Sequence, residues 1–191
     1  SDFTPTQLDD VLMEALALNR PRWKDIPQLQ GITYRIETHL ERPETVLGNP
    51  SELRRVLSNL LINAIDAMPQ GGVLTFVSRQ QGLESIISVR DTGIGIPPEI
   101  QQRIFEPFFT TKKSSGLGLT VSANIVKRHN GALQVESEQG RGTCITLRFP
   151  VYRPTAVMEV GDAGTVALRP VEPLSVLVID DEPHVRAVLA R

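Results

Sequence analysis

Leu53, Val56, Leu57, Leu60, Leu61, Ala64, Ile65 and Met68 recur at helical spacing and predict one unbroken apolar stripe on a helix over Asn49–Met68. Asn49 suits the N-cap, Pro50 the first turn and Glu52 the third position after the cap, while Pro69 and Gly71-Gly72 end the run. A shorter stripe of Leu8, Val11, Leu12, Ala15 and Leu16 predicts a helix over Gln7–Leu18, stopped by Pro21, with Arg22–Gln30 as a loop. A third helix is predicted over Leu117–His129, ended by the left-handed cap signal Asn130-Gly131. Alternating β-rich segments predict strands at Ile32–Thr38, Thr45–Leu47, Val73–Arg79, Glu84–Arg90, Ala132–Glu136 and Thr143–Phe149. The third and fourth read as a hairpin through Gln80-Gln81-Gly82, and the last two as another with its turn at Gln139–Gly142. Glu99–Arg103 reads as a short helical turn. The order of elements predicts an α+β fold, a two-layer sandwich whose mixed, mostly antiparallel sheet carries helices on one face.

The pattern fades after Pro150. Val151–Pro173 contains Pro154, Gly161, Gly164, Pro170 and Pro173 without periodicity and reads as a linker. Leu174–Ile179 is then a continuous apolar run, followed by Asp180-Asp181-Glu182 and a helical start at Pro183. Three parts follow: a domain over residues 1–150, a linker over 151–173 and a short third piece over 174–191. The chain begins at Ser1 and stops inside a predicted helix, so it reads as a piece of something longer.

Composition narrows the function classes. Lys+Arg is 20 and Asp+Glu 22, a net charge of −2, which gives no electrostatic case for nucleic acid or an anionic membrane. The single cysteine, Cys144, excludes an internal disulfide and fits a reducing, cytoplasmic compartment. No apolar run approaches the ~18 residues that a membrane span requires.

The candidate chemistry lies in Asp91–Leu119, where glycine pairs Gly93/Gly95 and Gly116/Gly118 flank a stretch with Pro97-Pro98, three phenylalanines and two lysines. Two clusters that permit close backbone approach suggest a loop closing over a phosphorylated ligand. The second cluster opens into a helix, whose free N–H groups and dipole favour an anion. On the long helix Asn59 and Asn63 share a face and Asp66 lies one turn further. They are either a solvated flank or polar groups for a ligand, with the Asn63 carbonyl a candidate for Mg²⁺. Asp91 is either a turn former or a carboxylate receiving a hydrogen bond from an exocyclic amine such as that of adenine.

Asn59-x-x-x-Asn63, DTGIGIP at Asp91–Pro97, FEPFFTTK at Phe105–Lys112 and GLGL at Gly116–Leu119 resemble, in order and spacing, the N, G1, F and G2 boxes of sensor histidine kinases. These are the marks of an ATP-binding catalytic domain with the Bergerat fold, shared with DNA gyrase B, Hsp90 and MutL. The resemblance covers roughly residues 1–150 and includes a GT-x-x-x-L-x-F strand at Gly142–Phe149. It implies ATP and Mg²⁺ as cofactors. Asn63 would hold the metal and through it the phosphates, with Asn59 and Asp66 bordering the site. Asp91 would contact the adenine amino group, helped by Thr143 through an ordered water. Gly93, Gly95 and Ile96 would line the base and ribose. Gly116, Leu117, Gly118 and Leu119 would cradle the phosphates. Thr111 would be among the nucleotide-binding residues, and Lys112, with Lys113 and Arg103 after it, is either a contact to the terminal phosphates or a solvated loop charge.

Asn59 stands where gyrase-like relatives carry a glutamate that activates water. An amide takes no proton at neutral pH, so the resemblance implies slow hydrolysis and transfer to a better-placed nucleophile, with Asn59 and Lys112 as the catalytic pair. None of His39, His129 and His184 stands in a His-Glu or His-Asp context, and each reads as a surface or structural histidine. The acceptor histidine is expected on a dimerisation domain of the same kinase, before Ser1, and the parent as a homodimer. Phe105, Phe108 and Phe109 either pack under the loop or dock on that domain. Leu174–Arg191 resembles the start of a receiver domain, with Asp180-Asp181 as its acidic pair, and so implies a hybrid kinase working with a receiver or response regulator. The rival readings are an ATPase switch of the gyrase type and a non-catalytic nucleotide-binding module.

Overall fold

A computed structural model of the chain describes residues 2–101, 103–104, 118–160 and 166–171, the side chains of 155–160 and 166–171 excepted. The chain divides into two units, residues 1–152 and 153–191.

The first unit is built around α3 (Pro50–Ala67). The Asn49 side chain accepts from the Glu52 amide at 3.1 Å, which satisfies one of the free N–H groups of the first turn. Leu53, Val56, Leu57, Leu60, Leu61 and Ala64 are all buried along one stripe, each large side chain contributing about 1.5–3 kcal/mol by leaving water. Helix α1 (Leu8–Leu18) packs on one flank of α3 and α5 (Gly118–Arg128) on the other.

Beneath them lies a five-stranded sheet in the order β2 (Tyr34–Leu40), β4 (Gly72–Gln81), β5 (Glu84–Asp91), β7 (Gly142–Pro150) and β6 (Ala132–Glu138). The β2–β4 joint is parallel and the other three are antiparallel. A parallel joint needs a crossover, and the segment through β3 (Val46–Gly48) and α3 supplies it. Leu74, Phe76, Ile87, Val89, Ile145, Leu147 and Phe149 join the helical stripes in one core. The alternation of β4, β5 and β7 therefore feeds a single apolar face. This is the expected α+β sandwich with a mostly antiparallel sheet.

Two local expectations need correction, and one strand was not anticipated. Arg22–Gln30 is not a loop but a wide helical turn (Pro21–Asp25) and α2 (Ile26–Leu29). Pro27 sits in the first turn of α2, where its missing N–H costs nothing. Trp23 leans on the core and donates to the Leu16 carbonyl at 3.0 Å. A further strand, β1 (Thr4–Thr6), pairs with β3, and three residues are too few to show a period. In Val151–Pro173, β8 (Thr155–Val160) and β9 (Val166–Val171) form an antiparallel pair. Pro170 lies opposite Ala156 in this two-stranded ribbon, where an outer edge tolerates proline. The receiver-like segment 174–191, with Asp180, Asp181 and His184, lies outside the described residues.

Candidate functional site

The site begins where β5 ends. Asp91 is buried, and its Oδ1 accepts from the Gly93 amide at 2.8 Å and the Thr143 amide at 3.3 Å. A carboxylate held by backbone N–H groups is fixed in orientation. Thr143, also buried, lies beside it near the start of β7, and a cleft of about 400 Å³ at this end of the sheet is lined by Arg90, Glu136 and Cys144 as well as by Asp91, Ser137 and Thr143.

The loop after Asp91 is docked on both sides. On one side the Ile94 amide donates to the Ala67 carbonyl at the end of α3, at 3.0 Å. Gly93 lies so close there that a Cβ would stand 2.5 Å from that same oxygen. On the other side Gly95, at φ +67°, passes against the Glu138 backbone, where a Cβ has no room. The Ile96 amide donates to Ser137 Oγ at 2.8 Å, and the Gln101 amide group donates to the carbonyls of Ile96 and Ser137, each at 2.9 Å. Ser137 Oγ also reaches Thr143 Oγ1 at 2.9 Å and the Gly142 carbonyl at 3.0 Å.

Helix α3 connects this end of the site to a second one. Asn59 Nδ2 lies 3.4 Å from the Gly118 carbonyl and 3.3 Å from Ser122 Oγ, on the first turns of α5. Ser122 is fully buried and donates to the same Gly118 carbonyl at 2.8 Å. Asn59, Asn63 and Ala67 follow one another at four-residue spacing, so they share one helix face. Asn63 therefore lies midway between the Gly118 turn and the Gly93–Ile94 loop. It is half-buried, and its side chain makes no hydrogen bond to any described residue.

Other expected site residues are placed differently. Asp66 is exposed at the last turn of α3. Burial first, and then the Asp66 carboxylate, raise the Tyr34 phenol above its ordinary pKa, and that phenol donates to the Met68 carbonyl at 2.9 Å. Leu119 packs against the core, so any ligand contact there comes from its backbone. The Ile96 amide is taken by Ser137 and its carbonyl by Gln101, so any ligand contact there comes from its side chain. Thr111, Lys112, Lys113, Gly116, Leu117, Phe105, Phe108 and Phe109 lie outside the described residues. Arg103 is described and exposed.

Sequence reading missed Gln101, Ser122 and Ser137. Small polar residues are common in strands and helices, and only the tertiary hydrogen bonds single these out. Among the described residues no group of three or more His, Cys, Asp or Glu side chains could hold a metal ion. No helix of the described residues is long and apolar enough to cross a membrane.

Residues 48–153 match the family described as histidine kinase-, DNA gyrase B-, and HSP90-like ATPase. Over 107 residues the chain is 44% identical to the sensor histidine kinase ZraS of Escherichia coli (strain K12), covering 56% of this chain and 23% of that protein. Over 162 residues it is 33% identical to the aerobic respiration control sensor protein ArcB of the same organism, covering 81% of this chain and 21% of that one. The chain spans between 19% and 24% of the length of such curated relatives. Among solved structures it is similar to the mycobacterial sensor histidine kinase MprB, with TM-score 0.68, 30% identity, and 78% of this chain and 97% of that chain covered. It is also similar to full-length ShkA in complex with AMPPNP, with TM-score 0.67, 28% identity, and 78% and 31% covered. With more than half its length inside the family match and kinase domains as its structural neighbours, the chain belongs to the histidine kinase-, DNA gyrase B- and HSP90-like ATPases, among the sensor histidine kinases.

Proposed function

We propose that the chain binds Mg-ATP along the Asn59–Asn63–Ala67 face of α3 and delivers the γ-phosphoryl group to a histidine on a dimerisation domain. The observation that carries this is the continuity of that face. One end touches the glycine loop beside the Asp91–Thr143 cleft and the other touches the start of α5. Adenine would lie against Asp91 and Thr143, with Gly93, Gly95 and Ile96 beside the base and ribose. The phosphates would run past Asn63 toward Gly116–Leu119, at the N-terminal end of α5.

The residues present fit a magnesium ion that arrives with its nucleotide. Mg²⁺ is held by one or two protein oxygens and substrate phosphates rather than by a protein cage. Among the described residues the Asn63 side-chain carbonyl has no hydrogen-bond partner, and no cluster of three or more His, Cys, Asp or Glu side chains could hold a metal ion there. Bound there, the ion would neutralise phosphate charge. Asn59 holds the start of α5 in place and cannot deprotonate water. The chain's own contribution is then orientation and charge complementarity, which is where phosphoryl-transfer catalysis resides. Lys112, with Thr111, would meet the terminal phosphates. Asp66, at the exposed rim, would contribute only from the periphery.

In this reading residues 1–150 form the catalytic domain, 151–173 connect it onward, and 174–191 begin a receiver domain, all on the cytoplasmic side of a hybrid kinase. The parent acts as a homodimer and passes phosphate to a receiver or response regulator. The test is phosphotransfer. With γ-³²P-ATP and magnesium, the chain should label a supplied histidine-bearing helical domain of its own parent and not itself. Label on His39, His129 or His184, or none on the helical domain, would overturn the reading.

A further inference from the structure

Strand β3 has only three residues, and both of its edges are occupied. On one edge β1 pairs with it in the register Thr4↔Gly48, Pro5↔Leu47 and Thr6↔Val46, and the Thr6 hydroxyl lies 3.1 Å from the Gly48 carbonyl. On the other edge Val151 stands opposite the same Val46 in an antiparallel bridge. The Tyr152 amide donates to the Thr45 carbonyl at 2.7 Å, and the Val151 amide donates to the Leu83 carbonyl, in the turn between β4 and β5, at 2.9 Å. The first strand of the first unit and the last two residues of that unit therefore meet on one short segment. That segment runs straight into Asn49, the N-cap of α3. Its last residue, Gly48, is packed so closely that a Cβ would stand 2.8 Å from His129 Cδ2 and from Leu53 Cδ1. Phe3, just before β1, stacks on the same His129 ring.

We propose that Val151 and Tyr152 act as a clamp that holds β1 in place through β3, so that the two ends of the catalytic unit are conformationally coupled. A pair of three-residue strands is marginal by itself, and a third strand makes such a ladder persist. Each edge of β3 thus steadies the segment on which the other edge depends. Such a coupling is a free energy between two sites and is reciprocal: freeing Tyr152 loosens β1, and freeing β1 loosens Tyr152. When β1 peels away, its three residues pass from the folded unit into the tether and lengthen it by about 10 Å. In the proposed function the dimerisation domain joins on the β1 side and the receiver on the Tyr152 side. The receiver joint would then set how far the catalytic unit reaches toward the histidine. That consequence rests on the proposed function, whereas the coupling rests on the strand pairing alone.

The test is residue-resolved hydrogen exchange on the whole 191-residue chain. Tyr152→Pro removes the amide that reaches Thr45. Tyr152→Ala keeps that amide while losing the same side chain, so the difference between the two isolates one hydrogen bond. Relative to Tyr152→Ala, Tyr152→Pro should speed exchange at the amides of β1 and β3 by about fivefold, as loss of one hydrogen bond does, and leave Phe76 and Ile87 in the sheet core unchanged. Conversely, Phe3→Ala, which removes the stacking on His129, should speed exchange of the Tyr152 amide by a similar factor. Unchanged exchange in β1 in Tyr152→Pro would overturn the clamp. So would an equal rise at Phe76 and Ile87, which marks general destabilisation, or a Tyr152 amide indifferent to Phe3→Ala. No nucleotide enters these measurements, so a chain that fails to bind Mg-ATP would overturn the proposed function and the argument about reach while leaving the clamp standing.

Discussion

The Nε2 of His129, at the end of α5, accepts the backbone N–H of Asn49, the N-cap of α3, at 3.0 Å, while its Nδ1 lies 2.7 Å from the Ile125 carbonyl. One imidazole thus joins the exit of one helix to the entrance of another. The arrangement fixes the tautomer: Nδ1 carries the proton and Nε2 the lone pair. Phe3 stacks on the ring at 4.6 Å and Phe149 meets it edge-on at 6.4 Å between centroids.

That geometry makes stability depend on pH. Burial lowers the His129 pKa below its ordinary 6.5; the Ile125 carbonyl and Glu52 oppose the shift, and Arg128 adds to it. The unfolded chain therefore binds the proton more readily than the folded one. The stability His129 contributes is complete above about pH 6.5 and is lost as pH falls through the lower folded value. Urea melts of the wild type should lose midpoint between pH 7 and 5.5, with a smaller loss in His129→Gln. At pH 8, His129→Ala should cost about 1–3 kcal/mol, because the buried Asn49 amide is left without an acceptor. Parallel pH profiles for wild type and His129→Gln would contradict the account.

Gly93 is constrained by approach to the α3 terminus. Gly93→Ala places a methyl against the Ala67 carbonyl, and the loop must move. A cost of about 1–3 kcal/mol is expected from the overpacking, with loss of nucleotide affinity beyond what the stability change explains. Thermal melts paired with calorimetry separate the two. An unaltered affinity would mean that the loop does not set the cleft.

Asp91→Ala should weaken adenine nucleotides by about 2 kcal/mol or more, as loss of a charge-assisted hydrogen bond does. Guanine nucleotides should lose much less, since they gain nothing from the carboxylate at that position. Calorimetry with both reads the difference, and an equal loss would remove the adenine contact from the scheme.

Asn63→Ala tests the metal. Affinity for a non-hydrolysable ATP analogue should fall sharply in magnesium and stay near the wild-type value in EDTA, because the side chain makes no hydrogen bond to any described residue whose loss could disturb the fold. The same loss in both buffers would assign Asn63 to the nucleotide directly.

Much of this was legible in the chain because α3 advertises itself at every level. Its stripe, its Asn49 cap with Glu52 and its Pro-Gly-Gly stop agree, and the helix forms within one residue of the expected bounds at each end. The β4–β5 and β6–β7 pairs were equally plain, since each alternates over a turn that needs glycine. What stayed hidden depends on contacts distant in sequence. The crossover that makes β2 parallel to β4, the three-residue pairing of β1 with β3, and Trp23 leaning on the core leave no period to read. At the site, the glycines and Asp91 stood out by motif, while Ser137 and Gln101 did not, because their importance lies in partners about 40 residues apart.

Asn59 and Ala67 belong to one uninterrupted rod, so the separation of the two ends of the site is a property of the peptide helix itself: eight residues, or about 12 Å. Side-chain changes cannot retune that span. Inserting a single residue between them would swing one end by about 100° relative to the other, whereas a residue added to either loop would leave this interval unchanged.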